Sequence, residues 1–337
     1  MRVGFNPNKD KVLPKSDYTH QVIVPVYIPH QEYYFKDSFP ILQFCLESLI
    51  ITSHAKTYIT VVNNGSCEEV IVYLNQLQQE GKIQEVIHTT AIGKLNAILK
   101  GLTGHQFSLI TITDADVMFL NDWQKATYEV FEAFPRAGVV SPVPNPKMLR
   151  YYTANVIGTT LFSKKVRFTL VKAKEDMIAF AKSIGNESLY KPVHLEKQLT
   201  ITNEGTSVLI GAGHFIATYK GVSFNKLNQR FSKFSLGGDS EEFLLDKPAT
   251  DLGLWRLSTQ NNYAYHLGNV KEDWMQDKLN TLLSDASIVE NVVDNSVYSG
   301  VMNVFLMKFF SRLIFRKPFW QLYLRYKGLT PKEANQY

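Results

Sequence analysis

The chain of 337 residues has only two cysteines, Cys45 and Cys67, and they lack metal-ligand spacing. This excludes a disulfide framework and a zinc site built on thiolates, and fits free thiols in a reducing compartment. No run reaches the ~18 uncharged apolar residues that a membrane span needs. The opening "MRVGFNPNKDKVLPKSDYTH" has no apolar core of a secretory signal. A cytoplasmic protein is the expectation. Internal repeats and low-complexity segments are absent as well. So is a broad basic face. The formal charge is +5, but residues 301–328 hold six Lys/Arg and no Asp/Glu, leaving the remainder near −1. A near-neutral body with one basic stretch argues against a nucleic-acid partner.

What is present is an alternating pattern. "QVIVPVY" (21–27), "TYITVVN" (57–63), "KIQEVIHT" (82–89) and "FSLITIT" (107–113) read as strands. Between them "DSFPILQFCLESLIITS" (37–53), "CEEVIVYLNQLQQ" (67–79) and "GKLNAILKGL" (93–102) read as helices. The alternation predicts an α/β fold, with a mostly parallel sheet and helices on both faces. Ligands in such sheets bind outside the carboxyl ends of the strands.

Two aspartates, Asp114 and Asp116, follow the fourth strand directly in "TITDADVMFL". In extended chain, residues i and i+2 face the same way, about 6.5–7 Å apart. Two carboxylates so placed can share a divalent cation whose other positions go to water and phosphate. Ala115 between them is small and lets a ligand near the backbone. A solvated turn with Asp116 capping a helix fits the same residues, so the pair alone does not decide.

Further on, "NDWQKATYEVFEAF" (121–134) reads as a helix and "AGVVSPV" (137–143) as a strand. "SVLIGAGHFIATYKG" (207–221) reads as strand, glycine turn, strand. Residues 145–205 include a basic, helix-like run around 164–184 and find no place on the sheet. "DSEEFLLDK" (239–247) starts a helix, with Asp239 or Ser240 as cap. From about 271 the chain reads as helices.

Seven segments, in order, resemble the inverting family 2 glycosyltransferases of the GT-A fold. They are "QVIVPVYIP", "ITVVNNGSCEEV", "GKLNAILKGL", "ITITDADVMFL", "GAGHFIATYKG", "GGDSEEFLLDK" and "YAYHLGN". The resemblance covers residues 21–270. It implies a GT-A domain over 1–270, with 145–205 as an insertion of unassigned structure. Residues 271–337 then form a C-terminal helical, basic-aromatic extension. It also implies transfer of a sugar from a nucleotide diphosphate sugar to a hydroxyl acceptor, with inversion, in cell-surface polysaccharide or glycolipid synthesis. Asp114, Asp116 and His266 would hold Mn²⁺ or Mg²⁺, with Asp114 also reaching the ribose. Pro25, Tyr27, Asn63, Lys94, Asp114 and Ala115 would line the donor site. Asp239 would be the general base, with Glu241 as the alternative.

Two departures from the family pattern bear on this. Gly238-Asp239 stands where the family has Glu-Asp, and a one-residue shift would put Ser240, which cannot act as that base, at the base position. Asn63 stands where an acidic residue accepts the base N–H. UDP is the default nucleotide, with dTDP and GDP as alternatives. Lys94 fits a nucleotide contact and a solvated lysine equally, Asn96 is similar, and His214 fits a structural role better than an acceptor one. A sugar nucleotidyltransferase is disfavoured, because "PVYIPHQEYY" has no glycine-rich phosphate loop. A catalytically inactive domain that binds a glycan or partner at a membrane is the non-enzyme alternative. In the basic stretch, Lys308, Arg312 and Arg316 repeat every four residues among aromatics, and Pro318 should break the helix. That composition suits peripheral contact with anionic lipid, which in turn would suit a lipid-linked acceptor.

Overall fold

A computed structural model describes residues 4–12, 16–225, 227, 230–237, 241–284 and 304–337; for 304–308 it describes the backbone only. Asp239, expected as the base, lies outside the described residues, as do Gly238 and Ser240. The strands are β1 (His20–Val26), β2 (Thr57–Asn64), β3 (Glu85–Thr89), β4 (Leu109–Thr113), β5 (Val117–Phe119) and β6 (Ala137–Ser141). They continue with β7 (Val166–Leu170), β8 (Lys197–Asn203), β9 (Thr206–Ile210), β10 (Ile216–Lys220), β11 (Trp255–Thr259) and β12 (Ala264–His266). The helices are α1 (Ser38–Thr52), α2 (Glu68–Gln79), α3 (Lys94–Gly101), α4 (Trp123–Ala133), α5 (Ala154–Thr159) and α6 (Lys174–Ser183). They continue with α7 (Pro192–Glu196), α8 (Lys247–Asp251), α9 (Asp273–Asn280), α10 (Val304–Ile314), α11 (Lys317–Tyr326) and α12 (Pro331–Gln336).

Among the described residues, ten strands form one sheet in the order β3-β2-β1-β4-β10-β6-β11-β9-β8-β7. The β3-β2-β1-β4 half is parallel. Right-handed crossovers through amphipathic helices favour this order. In α1, Ile41, Leu42, Cys45, Leu46 and Leu49 recur at helical spacing and all are buried. Each such side chain stabilises the fold by roughly 1.5–3 kcal/mol relative to leaving it exposed. β10 enters antiparallel between β4 and β6, and β11 returns parallel to β6. Seven of the ten strands therefore point the same way, so the fold is α/β with a mostly parallel sheet.

The chain runs outward from β1 through β2 to β3, then returns to place β4 on the other side of β1. That reversal is the topological switch point where open α/β sheets bind ligands. Pro25 sits in β1 opposite Val62, beyond the β4 ladder, which ends at Ile23–Ile112. Its missing N–H costs nothing on that side.

The segment 145–205, unplaced by the sequence pattern, contributes to the same sheet. β7, β8 and β9 form an antiparallel meander on its far edge. Residues 166–170, within a run that reads as helix-like, are strand β7. The helix of that run is α6, starting at Lys174. The C-terminal helices pack on this half of the molecule. Ile314, Trp320, Tyr323, Leu324 and Leu329 share one buried cluster with Val166, Leu199, Ile201 and Leu257. The Phe168 amide also donates to the Lys327 carbonyl at 3.0 Å. Pro318 stands in the first turn of α11, where its missing N–H is harmless, and the helix boundary falls just before it. No described helix is long and apolar enough to cross a membrane.

A buried polar network ties β1 and β4 to α4. His20 contacts the Tyr128 hydroxyl through Nδ1 and the Thr111 hydroxyl through Nε2, both at 2.7 Å. His54 Nε2 contacts the same Tyr128 hydroxyl at 2.7 Å. Burial, aided by His54, lowers the His20 pKa to about 3. In the unfolded chain the same ring titrates near ~6.5. Between these values the unfolded state holds the extra proton, so stability rises with pH. Urea midpoints should therefore fall as pH drops from 7 toward 4. The His20 share of that slope is up to ~1.4 kcal/mol per pH unit. His20→Asn should flatten the dependence; an identical slope in the variant would contradict the account.

Candidate active site

The cleft forms where β4 ends. Its strand stops at Thr113, and residues 114–116 turn before β5 starts at Val117. The expectation of an extended Asp-x-Asp is thus corrected: the two carboxylates sit on a turn and meet different partners. The Asp114 amide donates to the Phe215 carbonyl at 2.8 Å, fixing the turn against the start of β10. Asp114 Oδ1 lies 2.5 Å from Lys94 Nζ. Asp116 Oδ2 lies 3.4 Å from His266 Nε2.

His266 reaches Asp116 because β12 pairs antiparallel with β5, setting His266 opposite Val117. The Leu267 amide closes this ribbon onto the Asp116 carbonyl at 2.7 Å. His266 Nδ1 is 3.0 Å from the Ser183 hydroxyl. Phe180 and Phe215 stand edge-on to its ring. Such contacts fix the orientation of a metal-ligating imidazole. The other oxygen, Asp116 Oδ1, is buried and has no hydrogen-bond partner. Burial raises the Asp116 pKa, opposed by His266 and reinforced by Asp114.

A buried carboxylate oxygen without a donor costs free energy. A divalent cation would supply what it lacks, and carboxylate with imidazole is a donor set that such ions accept. Among the described residues, no three His, Cys, Asp or Glu side chains converge into a preformed cage. Asp114 is drawn aside by Lys94. Mg²⁺ commonly takes only one or two protein carboxylates and leaves its other positions to water and phosphate, so Asp116 with His266 fits such an ion.

Lys94 begins α3 directly after Gly93, whose φ is +92°. A Cβ at Gly93 would lie 2.9 Å from the Phe234 carbonyl oxygen, so only glycine fits beneath the 232–235 segment. Asn96 holds that segment from below. Its Nδ2 donates to the Ser232 carbonyl at 2.7 Å, and its Oδ1 accepts from the Ser232 amide at 2.8 Å. Asn96 is therefore engaged in anchoring the chain that leads to 238–241. Lys94 Nζ also lies 3.5 Å from Glu241 Oε1. Burial would lower the Lys94 pKa, but Asp114 and Glu241 outweigh it and hold the group above its usual range. Lys94 is thus a fixed cation between the strand-end carboxylate and the acidic helix start.

Of the other expected donor contacts, Tyr27 is half exposed just past β1, with its ring edge-on to Phe35. Ala115 lies on the turn itself. Asn63 is buried at 1% exposure, and both ends of its amide are engaged. Its Oδ1 accepts from the Ser66 amide at 2.9 Å, and its Nδ2 is 3.0 Å from His88 Nδ1. That side chain braces the "NNGS" turn and ties it to β3. Cys45, beneath Asp114, is buried with its pKa pushed up to about 12, an inert thiol.

The far wall was not legible in advance. Glu242–Asp246 form a π-helical turn leading into α8. Such turns are frequent at functional sites. Asp246 and Arg256 form a wholly buried ion pair at its base. Burial raises the Asp246 pKa to about 7, and Arg256 opposes this. Arg256 Nη2 also donates to the Ala212 carbonyl at 2.8 Å, tying the glycine turn to the pair. His214 Nε2 lies 3.4 Å from Asp246 Oδ2, and Tyr152 donates to Glu242. An arginine inside the otherwise apolar strand "LWRLS" was the available signal.

With this geometry in place, the comparisons are consistent. Residues 22–193 match Glycosyl transferase family 2, just over half of the chain. The chain belongs to that family of enzymes. No curated protein matches. Among solved structures, S. aureus TarS 1–349 is similar at 14% identity and TM-score 0.42, over 73% of this chain and 60% of that one. The same TarS fragment in complex with UDP-GlcNAc is similar at 14% identity and TM-score 0.42, over 94% and 70%. A mannosyltransferase from Pyrobaculum calidifontis, in complex with GDP-Man and Mn2+, is similar at 24% identity and TM-score 0.31, over 40% and 39%. The chain thus spans 60% of the first of these structures and 39% of the mannosyltransferase.

The Asp246–Arg256 pair yields a stability prediction. Arg256→Met should cost ~3–5 kcal/mol in urea unfolding, because it strands a buried carboxylate. Adding Asp246→Leu should restore much of that loss. A double variant as unstable as the single one would contradict this view of the pair.

Proposed function

We propose that the chain transfers a sugar from a nucleotide diphosphate sugar to a hydroxyl acceptor, with inversion and with Mn²⁺ or Mg²⁺ bound. The observation that carries this reading is the buried, unpartnered Asp116 Oδ1, whose other oxygen faces a braced His266. Asp116 and His266 would hold the cation. When bound, that ion would neutralise charge on the leaving diphosphate. Asp114 would reach the ribose, and Lys94, paired with it, would add positive charge beside the phosphates. Tyr27 and Ala115 would line the donor cleft at the ends of β1 and β4.

Inversion needs one base that takes the acceptor hydroxyl proton as the oxygen attacks the anomeric carbon. Glu241 has its carboxylate near Lys94. Asp239 is therefore the favoured base, and Glu241 its helix-start neighbour. UDP is the favoured nucleotide, and the setting is cell-surface polysaccharide or glycolipid synthesis. On α11, Phe319, Leu322 and Tyr326 are exposed beside Arg325. This apolar and basic surface supports peripheral contact with an anionic membrane and with a lipid-linked or glycan acceptor.

A panel of UDP, GDP and dTDP sugars tests the reading through metal-dependent transfer and hydrolysis. Asp116→Ala should lower turnover by on the order of 10²–10³-fold while keeping the wild-type melting temperature. Normal turnover by that variant would refute the metal role. Asp239→Asn should abolish transfer while Glu241→Gln retains it; the reverse pattern would assign the base to Glu241. Calorimetry showing no nucleotide binding, with or without Mn²⁺, would instead favour an inactive, glycan-binding domain.

A further inference from the structure

A cavity is lined by the 146–150 segment, which continues into Tyr151 and Tyr152 beside His214 and Glu242. It measures about 260 Å³ and opens between the 3-10 turn Pro146–Arg150, the start of α7 and the C-terminal helices. Lys147, Arg150, Lys191, His194, Trp320 and Tyr337 line it, with no Asp or Glu side chain among its walls; the Tyr337 backbone bonds the His194 ring. Among the described residues, none of Lys147, Arg150 and Lys191 has a carboxylate partner. The nearby acid of α12, Glu333, is committed to Lys197 at 2.6 Å and to the Thr330 cap.

The walls are built rather than incidental. The Arg150 guanidinium lies 5.5 Å from the Phe315 ring centroid and 5.7 Å from that of Trp320. Its Nη2 also donates to the Phe315 carbonyl at 2.9 Å. Stacking and this bond order the guanidinium before any ligand arrives. Lys191 Nζ donates to the Gln336 carbonyl at 2.8 Å. Asn145 caps the turn through the Lys147 amide at 3.1 Å. Trp320 is 5% exposed, and its Nε1, which can only donate, is buried without an acceptor. Burial, with Lys147 and Lys191, lowers the His194 pKa to about 4, so this ring is neutral and the cavity holds three cations.

Three cations without a carboxylate side-chain partner ask for a compact polyanion. Guanidinium and ammonium groups are the usual recognition pair for phosphate. The volume lies below the ~300–1,000 Å³ typical of whole-ligand pockets, which suits a phosphate group rather than a nucleotide sugar. We propose that this cavity is a phosphate-binding site, separate from the donor cleft, that takes the phosphate of an anionic lipid headgroup or of a soluble phosphate ester. One wall is the turn that continues into Tyr151 and Tyr152, and Tyr152 donates to Glu242.

Tryptophan fluorescence during titration with inorganic phosphate, at constant ionic strength against chloride, tests the site in the full chain. The wild type should respond saturably, and Trp320→Phe should remove the response. Lys147→Glu/Lys191→Glu changes two exposed residues and should keep the fold, read by melting temperature. It should weaken phosphate binding by ~10-fold or more while leaving nucleotide binding unchanged. Co-sedimentation with phosphatidylglycerol-containing and pure phosphatidylcholine vesicles separates the sources. Pelleting lost in the double variant, and competed by phosphate, assigns a lipid headgroup. Unchanged pelleting with lost phosphate binding assigns a soluble ester. A response that follows ionic strength alone, or one that survives in the double variant, overturns the proposal.

Discussion

Two carboxylates one residue apart at the end of a buried strand repel each other unless each finds a counter-charge. This constraint organises the candidate site. Lys94 takes Asp114 and His266 faces Asp116. The two partners come from distant parts of the chain, one from the start of α3 and one from the end of β12. Holding both in place requires the glycine at 93 and the 232–235 segment over it. It also requires the β5–β12 ribbon and the Ser183 contact to His266. The turn at 114–116 lets the carboxylates diverge toward separate partners. Asp114 is neutralised within the protein, whereas Asp116 keeps one buried oxygen unpaired. That asymmetry gives the two residues different chemistry.

The same economy of contacts extends beyond the cleft. Residues 145–205 and the C-terminal helices share one hydrophobic cluster with β9 and β11. The far edge of the sheet and the basic helices therefore form one packed body. The 146–152 segment contributes to both places: Arg150 lines the basic cavity and Tyr152 donates to Glu242. The Asp246–Arg256 pair anchors the opposite wall and is shielded from water on all sides.

Much of the first half of the fold was legible in the sequence. Each parallel strand there is a short apolar run closed by a turn, and each helix shows an apolar stripe, so local patterns and tertiary structure agree. Of the meander, β9 was legible as a strand in "SVLIG", whereas β7 and β8 were not. The edge strand β7 is largely exposed, and the basic residues around 164–174 break the alternation that marks a strand. At the site, Lys94, Asp114, Asp116 and His266 were named in advance, and the fold brings them together. Asn63 was expected at the nucleotide; its amide meets Ser66 in its own turn and His88 on β3, contacts that only the three-dimensional arrangement reveals. Asp246 and Arg256 are ten residues apart on different elements, and no periodic pattern couples them.

The central claim is that Asp116 and His266 hold a divalent cation beside the nucleotide diphosphate. The direct measurement is Mn²⁺ affinity at saturating UDP, by calorimetry, for the wild type, His266→Ala and Lys94→Met. Loss of the imidazole should weaken Mn²⁺ binding by at least about 10–100-fold, the range for losing only a group that orients a metal ligand. Lys94→Met should leave Mn²⁺ at least as tightly bound, because it removes a neighbouring positive charge. Wild-type Mn²⁺ affinity in His266→Ala would contradict the account.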